Sequence, residues 1–328
     1  MKRIVMAGPK KSRIIDVDIP KINDNQLLVK VTYTGMCHSE YYPWTIAEEG
    51  QVFGHEAIGV VADVGRNVTG FKIGDRVTGL GGGGYAEYIV MVPEKVMLVP
   101  DNLKDEDAVV EPLACIMSGA ERIDTGKLGD RVAVVGAGYM GLGLISLLKA
   151  RGYESVVAID KRPIALENAK RYGATEVYLP EEMPKHFKLN WETWAKPDLT
   201  RDGHKTDIFN TGFKTVMEFT GTPDGLALAG EMVSAHGTLG IAGFHNDGYR
   251  NVDFKLWNMK AMTMHNCHER RIEYEVTLCR RCLALLSSGQ WKFTGAANKI
   301  YTFEEFDKAN EDMINHTDNF IKGLVKCE

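Results

Sequence analysis

At 328 residues, with 44% hydrophobic and 25% charged residues, the chain has the composition of a soluble globular protein and is too long for one ordinary core, so two domains are expected. A formal charge of −5 without a long basic run argues against nucleic acid or an anionic membrane as partner. Six cysteines, at 37, 115, 267, 279, 282 and 327, are too sparse for a disulfide framework and fit a reducing, cytoplasmic setting.

The N-terminus, MKRIVMAGPKK, opens on a basic pair, but the apolar stretch after it is far too short for a signal peptide. The first hundred residues read as β-rich. Strands are expected at LLVKVTY (27–33), AIGVVADV (57–64), DRVTGL (75–80) and YAEYIVMV (85–92), separated by Gly, Asn and Asp turn signals. The acidic segment 101–107 introduces a helical pattern through EPLACIMSGAERI (111–123).

From residue 131 the rhythm changes to alternating strand and helix. RVAVVGAG is followed by YMGLGLISLLKARG, then SVVAID (155–160) by PIALENAKRYG (163–173), with further strands at 176–179, 215–221, 238–243 and 261–265. That alternation implies a doubly wound parallel sheet. The run 132–148 is free of charge, but a membrane span needs about 20 apolar residues. A buried strand and a buried helix, joined by glycines at turn-like spacing, account for it better. The stretch 180–214 is longer than a usual connection. It carries Trp191 and Trp194, which read as anchors of a surface excursion, with a lid or subunit contact as the sharper alternative. The last sixty residues hold two helices and a final strand, too little for a core, and are expected to pack back onto the N-terminal β domain.

Gly136-Ala137-Gly138-Tyr139-Met140-Gly141 is a G-x-G-x-x-G between a strand and a helix, the context in which that motif binds a dinucleotide. Gly136 permits the tight turn, Gly138 lets a pyrophosphate approach the backbone, and Gly141 lets the helix pack on the sheet. The first helical turn, with Tyr139 and Met140, presents free N–H groups to the phosphates. Asp160 ends the next strand, where an acid can bind the adenosine ribose hydroxyls and repel a 2′-phosphate. NAD is therefore favoured over NADP, although Lys161 and Arg162 could receive that phosphate.

Cys37 in GMCHSE, His55 and Glu56 in FGHEAIGVV, and Glu111 in EPLAC are residue types that hold zinc. Singly, each has a plainer reading: a buried small hydrophobe for the cysteine, a surface ion pair for the His-Glu dipeptide. In order along the chain, GMCHSE, GHEAIGVVADVG, FKIGDRV, YAEYIV, EPLAC, VAVVGAGYMG, VVAID, MEFTG and IKGLV resemble the zinc-dependent medium-chain dehydrogenase/reductase family, in its sorbitol- and threonine-dehydrogenase-like branch of alcohol and polyol dehydrogenases.

The resemblance implies an α/β chain with a GroES-like β-rich catalytic domain (1–118), a Rossmann NAD-binding domain with a doubly wound parallel sheet (119–267), and a return segment (268–328) completing the catalytic domain. It implies one catalytic zinc per subunit held by Cys37 and His55, with Glu56 and Glu111 sharing the third place. Ser39 would pass the alcohol proton onward, with His38 as a second relay or phosphate contact. Lys322 would reach the pyrophosphate. The implied reaction is hydride transfer between NAD and the CH–OH of a secondary alcohol. Tyr41, Tyr42 and Trp44 suit a polyol, sugar or cyclitol pocket, or equally a core. The expected partners are this small-molecule substrate and copies of the chain in a dimer or tetramer, with no nucleic acid and no membrane.

The chain also departs from the pattern. Many relatives carry a four-cysteine lobe with a structural zinc after GDRV; here glycines at 79 and 81–84 bridge directly to YAEYIV, so no second zinc is expected. Cys279 and Cys282 have redox spacing but lie in a helical pattern, and read as structural. His265, Cys267 and His268 form a weaker metal candidate. The rival readings are a zinc-free quinone or enoyl reductase on the same fold, and a non-catalytic NAD-binding protein.

Overall fold

A computed structural model describes residues 1–123, 131–195 and 211–327. The chain divides into two compact units, Met1–Cys115 with Arg270–Glu328, and Ile116–Glu269.

The first unit begins with an antiparallel hairpin, β1 (Lys2–Gly8) and β2 (Lys11–Asp16), which the sequence pattern had not marked. Its consecutive buried residues Ile4, Val5 and Met6 break the alternation that identifies a half-buried strand. β3 (Leu27–Gly35) does alternate, burying Leu27, Val29 and Val31. After the short helix α1 (Tyr41–Thr45) come β4 (Ala57–Val64), β5 (Arg76–Gly79), β6 (Tyr88–Met91) and β7 (Val96–Leu98). Helix α2 (Glu111–Arg122) then carries the chain from the first unit into the second.

The second unit alternates β8 (Arg131–Val135), α3 (Tyr139–Ala150), β9 (Ser155–Ile159), α4 (Pro163–Arg171), β10 (Glu176–Tyr178), α5 (Trp191–Ala195), β11 (Phe213–Glu218), α6 (Pro223–Met232), β12 (Val233–Ile241), α7 (Phe254–Met259) and β13 (Thr263–Asn266). Among the described residues, six of these strands form a parallel sheet in the order β10-β9-β8-β11-β12-β13. Val132–Val135 and Val156–Ile159 are buried throughout, because both faces of such a sheet are covered by helices. The chain winds outward from β8 to β10, then restarts beside β8 with β11. That reversal makes a crevice at the carboxyl ends of β8 and β11.

The long connection after β10 is anchored by side chains. Phe187 and Leu189 are buried, and Phe187 packs edge-on against Phe213 at 4.9 Å. Trp191 donates from Nε1 to Asp253 at 2.6 Å beneath the Lys255 ammonium. The rest of that stretch, 196–210, lies outside the described residues.

The chain returns to the first unit with α8 (Ile272–Ser287), β14 (Ala297–Tyr301), α9 (Phe306–Asn315) and β15 (Lys322–Lys326). β15 pairs antiparallel with β3, Leu324 opposite Gly35, in a sheet ordered β14-β15-β3-β4-β5-β7 with β6 also on β3. The core beneath includes Leu27, Val29, Trp44, Tyr85, Phe306 and Val325. No described helix is long and apolar enough to cross a membrane.

Candidate active site

The register of three strands assembles the candidate metal site. β3 pairs with β4 so that Thr34 lies opposite Ala57. The residues just after β3 and just before β4 therefore meet, and the Gly35 N–H donates to the Glu56 carbonyl at 2.9 Å. On the other side, Met36 N–H donates to Gly323 O at 3.0 Å, which brings in the start of β15. Ligand atoms of Cys37, His55 and Glu56 consequently lie within 4.8 Å of one another. Cys37 and His55 are half-buried and Glu56 is buried. Gly35 makes room for the carboxylate, since a Cβ there would fall 2.0 Å from Glu56 Oε2.

Lys322, expected at the pyrophosphate, is buried and faces Glu56. Its Nζ donates to Oε1 at 2.8 Å and lies 2.6 Å from Oε2. Burial pulls the ammonium's pKa down, but the charges of Glu56 and Cys37 outweigh it and hold the group above the ordinary lysine value. Glu56 Oε2 is buried yet receives no hydrogen bond of acceptable geometry. The Lys322 ammonium 2.6 Å away balances its charge, leaving lone-pair directions on Oε2 without a hydrogen bond.

The sequence reading missed Glu40. Its Oε1 lies 2.7 Å from His55 Nδ1 and accepts the Gly54 N–H at 2.8 Å, while Tyr85 Oη lies 3.1 Å from its Oε2. A carboxylate on one ring nitrogen fixes the imidazole and leaves the other nitrogen for the cluster. Burial disfavours the imidazolium, but the hydrogen bonds to Cys37 and Glu40 and the charges of Cys37 and Glu56 overcome it. Together they push His55 up to about 12. The pocket attracts positive charge, and a thiolate, an imidazole and a carboxylate with a spare oxygen are a fitting donor set for zinc.

Glu111, the first residue of α2, stands outside this tight trio but shares a cavity of about 330 Å³ with His55, Gly81, Gly82, Lys95 and Glu275. Burial and the charge of Glu56 raise its carboxyl above the usual glutamate value against the pull of His55 and Lys322. Ser39 donates to Cys37 Sγ at 3.1 Å. Trp44 is buried and bonds Asp307 at 3.3 Å, the core alternative for that aromatic, whereas Tyr42 is exposed. Cys279 and Cys282 are buried on α8, and burial pushes the Cys279 thiol to about 12, so the C-x-x-C spacing marks packing. Cys267 is likewise buried, its thiol raised to about 11, and the His268 ring lies 5.1 Å from Phe244.

In the second unit, the glycine turn lies at the crevice between β8 and β11. Gly136 has φ +98 and faces Thr220, where a Cβ would lie 2.9 Å from Cγ2. At Gly141 a Cβ would lie 2.0 Å from Gly136 O, so the helix can approach only without one. Among the described residues, nothing lies within 4 Å of the Cβ position at Gly138, the N-cap of α3, and Gly138 makes no side-chain cap. Open space before the first turn of α3 suits a pyrophosphate. Asp160 accepts from Ala137 N at 2.8 Å and from Arg162 through its backbone and guanidinium, each at 2.9 Å. Burial alone would raise this carboxyl, but the Arg162 and Ala137 donors hold it below the usual aspartate value.

The family described as Alcohol dehydrogenase GroES-like domain matches residues 23–101, and that described as Zinc-binding dehydrogenase matches 140–275. Sorbitol dehydrogenase of Bacillus subtilis (strain 168) is 28% identical over 293 residues, 77% of this chain and 78% of that protein. D-arabinitol dehydrogenase 1 of Uromyces fabae is 27% identical over 95% of this chain and 94% of its own length. Among solved structures, an alcohol dehydrogenase of Thermus sp. ATN1 superposes with a TM-score of 0.81 at 23% identity, covering 100% of both chains, and shows the same fold.

Proposed function

We propose, from the premise that the chain belongs to the zinc-dependent medium-chain dehydrogenase/reductase family, that it is an NAD-linked dehydrogenase oxidising a secondary alcohol of a polyol, sugar or cyclitol. The observation that carries this reading is the Cys37–His55–Glu56 trio, with the cavity lined by His55 and Glu111 beside it. The names of the Bacillus and Uromyces relatives, a sorbitol and an arabinitol dehydrogenase, support the substrate class.

In this reading Cys37 and His55 hold zinc, with Glu56 or Glu111 as third ligand. Zinc held there would supply Lewis-acid chemistry, and a nicotinamide held on the glycine turn would supply the hydride acceptor. The protein's own groups prepare that chemistry. Glu40 fixes the His55 ring. Lys322 balances the Glu56 charge. Ser39, next to the Cys37 sulfur, takes the alcohol proton onward. Glu275 and Lys95 give the cavity polar groups that suit a substrate with several hydroxyls. Gly136, Gly138 and Gly141 with the first turn of α3 receive the pyrophosphate, and Asp160 the adenosine ribose, which favours NAD. The enzyme is read as cytoplasmic and as a homodimer or homotetramer.

The test is NAD reduction by zinc-loaded protein against polyols, sugars, cyclitols and simple alcohols, with metal analysis alongside. Turnover of polyhydroxy substrates that disappears on chelation and returns with zinc is expected. Full activity in chelated protein would overturn the metal reading, and activity confined to simple alcohols would overturn the substrate class.

A further inference from the structure

We propose that Glu218, His245 and Arg250 form a proton-sensitive latch at the dinucleotide crevice. While the imidazole is neutral, the latch holds together the turn after β11 and the loop after β12; a second proton on His245 releases Arg250 and loosens both. This rests on the reading above that the glycine turn receives the pyrophosphate.

Glu218 ends β11 and is buried. Its Oε1 accepts from Thr220 N, Thr220 Oγ1 and Gly221 N, so this oxygen shapes the turn that leaves the strand. Its Oε2 lies 3.1 Å from His245 Nε2. On the far side of the ring, Arg250 Nε donates to His245 Nδ1 at 2.8 Å. A guanidinium has donors and no acceptor, so Nδ1 must accept and the ring proton must sit on Nε2, donated to Glu218. The arrangement therefore requires a neutral imidazole between a carboxylate and a guanidinium. Among the described residues, the charged groups facing His245 are Glu218 from β11 and, from its own loop, Arg250 with its partner Asp247. From the segment after β13, His268 Nε2 lies 3.5 Å from the Gly243 carbonyl.

Both partners of the imidazole reach the crevice. Arg250 Nη2 donates to Gly221 O at 3.2 Å and also to Asp247, so one guanidinium clamps the turn after β11 to the loop after β12. From Phe244 to Arg250 that loop joins no helix or strand, and its Tyr249 is exposed. The turn in its place presents Thr220 to Gly136, the first glycine of the dinucleotide turn, where a Cβ would fall 2.9 Å from Thr220 Cγ2. A chain of contacts thus runs from His245 through Glu218 and Thr220 to the cofactor turn. A second proton makes Nδ1 a donor facing the Arg250 donor. The charged ring stays with the buried Glu218 carboxylate, and Arg250 leaves, taking with it the bond to Gly221 O. Dinucleotide affinity should therefore fall as His245 gains its proton, and by reciprocity dinucleotide binding should drive that proton off.

The experiment is calorimetric titration of the full-length protein with NAD from about pH 5.5 to 8, the span in which imidazoles exchange protons. Buffers of different ionisation enthalpy count the protons released on binding, and no turnover is needed. Wild type is expected to lose about tenfold in affinity toward acid pH, the size of one hydrogen-bonded charge pair. It should release up to about half a proton per dinucleotide midway, as a tenfold linkage requires. His245→Gln keeps a donor for Glu218 and an acceptor for Arg250 but takes no proton, so its affinity should stay level across the range. Arg250→Ala should bind about tenfold more weakly than wild type at pH 8 and lose the acid sensitivity, and Arg250→Lys should recover part of both. A His245→Gln profile parallel to wild type, undiminished affinity in Arg250→Ala at pH 8, or no proton release from wild type would overturn the inference while leaving the cofactor reading intact. The proton count needs no variant, so it decides even where a substitution prevents folding. Wild type that binds no NAD at any pH would overturn the cofactor reading itself, and the inference with it.

Discussion

Both units bury a carboxylate against a cation, but the two pairs are built differently. Glu56 meets Lys322 across 266 positions of sequence, and the meeting depends on β3 pairing with β4 on one side and β15 on the other. Asp160 meets Arg162 two residues away, within one turn. The first pair has no exit: the side chains are 7% and 0% exposed, and one carboxylate oxygen still lacks a hydrogen bond. The second is saturated with donors, and its cation borders solvent. A sealed anion already paired with a buried ammonium belongs to the fixed frame of the site. A saturated anion with a removable partner suits a ligand that comes and goes.

The largest effect is expected at the sealed site. Cys37→Ser should abolish stoichiometric zinc binding and turnover together, because it replaces a thiolate with a far weaker ligand. Elemental analysis with a parallel NAD-reduction assay checks this, and retention of zinc with full activity would remove Cys37 from the ligand set.

Next comes the contrast between the two cations. Lys322→Met leaves Glu56 as an unpaired buried charge and should cost about 3–5 kcal/mol in urea unfolding. Adding Glu56→Gln should recover part of that loss. Arg162→Ala, at the solvent-bordered pair, should cost no more than about 1 kcal/mol. Equal losses at both sites would break the distinction drawn between them.

A smaller effect separates ligands from the group that orients them. Glu40→Gln keeps the shape but weakens the hold on His55 Nδ1, and should lower zinc affinity by about 10–100-fold without abolishing it. Competition with a chromogenic chelator measures this. An unchanged affinity would show that the ring is held by packing alone.

What could be read in the sequence follows the same divide between local and long-range construction. The turn from β8 into α3 was legible because strand, glycines and helix are consecutive, and Asp160 and Arg162 were both marked as cofactor residues. Cys37, His55 and Glu56 were legible as ligand types in a known pattern. Glu40 was not, since it acts on a ring fifteen positions away. Lys322 was expected at a phosphate, and its bond to Glu56 was not legible, because nothing local shows that β15 lies beside β3. Helix α6 escaped notice for another reason. Its Gly225 and Gly230 weaken the helical pattern, yet a Cβ at Gly230 would lie 2.4 Å from the Trp257 indole nitrogen and one at Gly225 1.9 Å from Thr220 Oγ1. Those glycines are set by packing that only the folded chain reveals. The β1–β2 hairpin was hidden by its short apolar run among lysines and arginines.

A second buried cation sharpens the comparison, because among the described residues no carboxylate is in contact with it. Lys260 is fully buried, and its Nζ donates to the carbonyls of Gly230 and Glu231 at 2.7 and 2.8 Å. It thereby caps the C-terminal end of α6, where a cation is favoured. Burial nevertheless outweighs the more distant charges of Glu231 and Asp253 and draws its pKa from 10.5 down to about 7. Between those two values the unfolded chain binds a proton that the native protein has released, so stability should rise with pH across that window. Below about pH 7 both states are protonated and this contribution is flat. The gain from pH 7 to 9 is about 2 kcal/mol at most. Other groups titrate in the same range, so the measurement is the difference in unfolding free energy between wild type and Lys260→Met at each pH. Lys260→Met is less stable at every pH if the two carbonyls matter, but the gap should widen toward pH 9. A gap that stays constant from pH 7 to 9 would mean instead that the carbonyls of α6 hold the proton on Lys260, much as Glu56 does on Lys322.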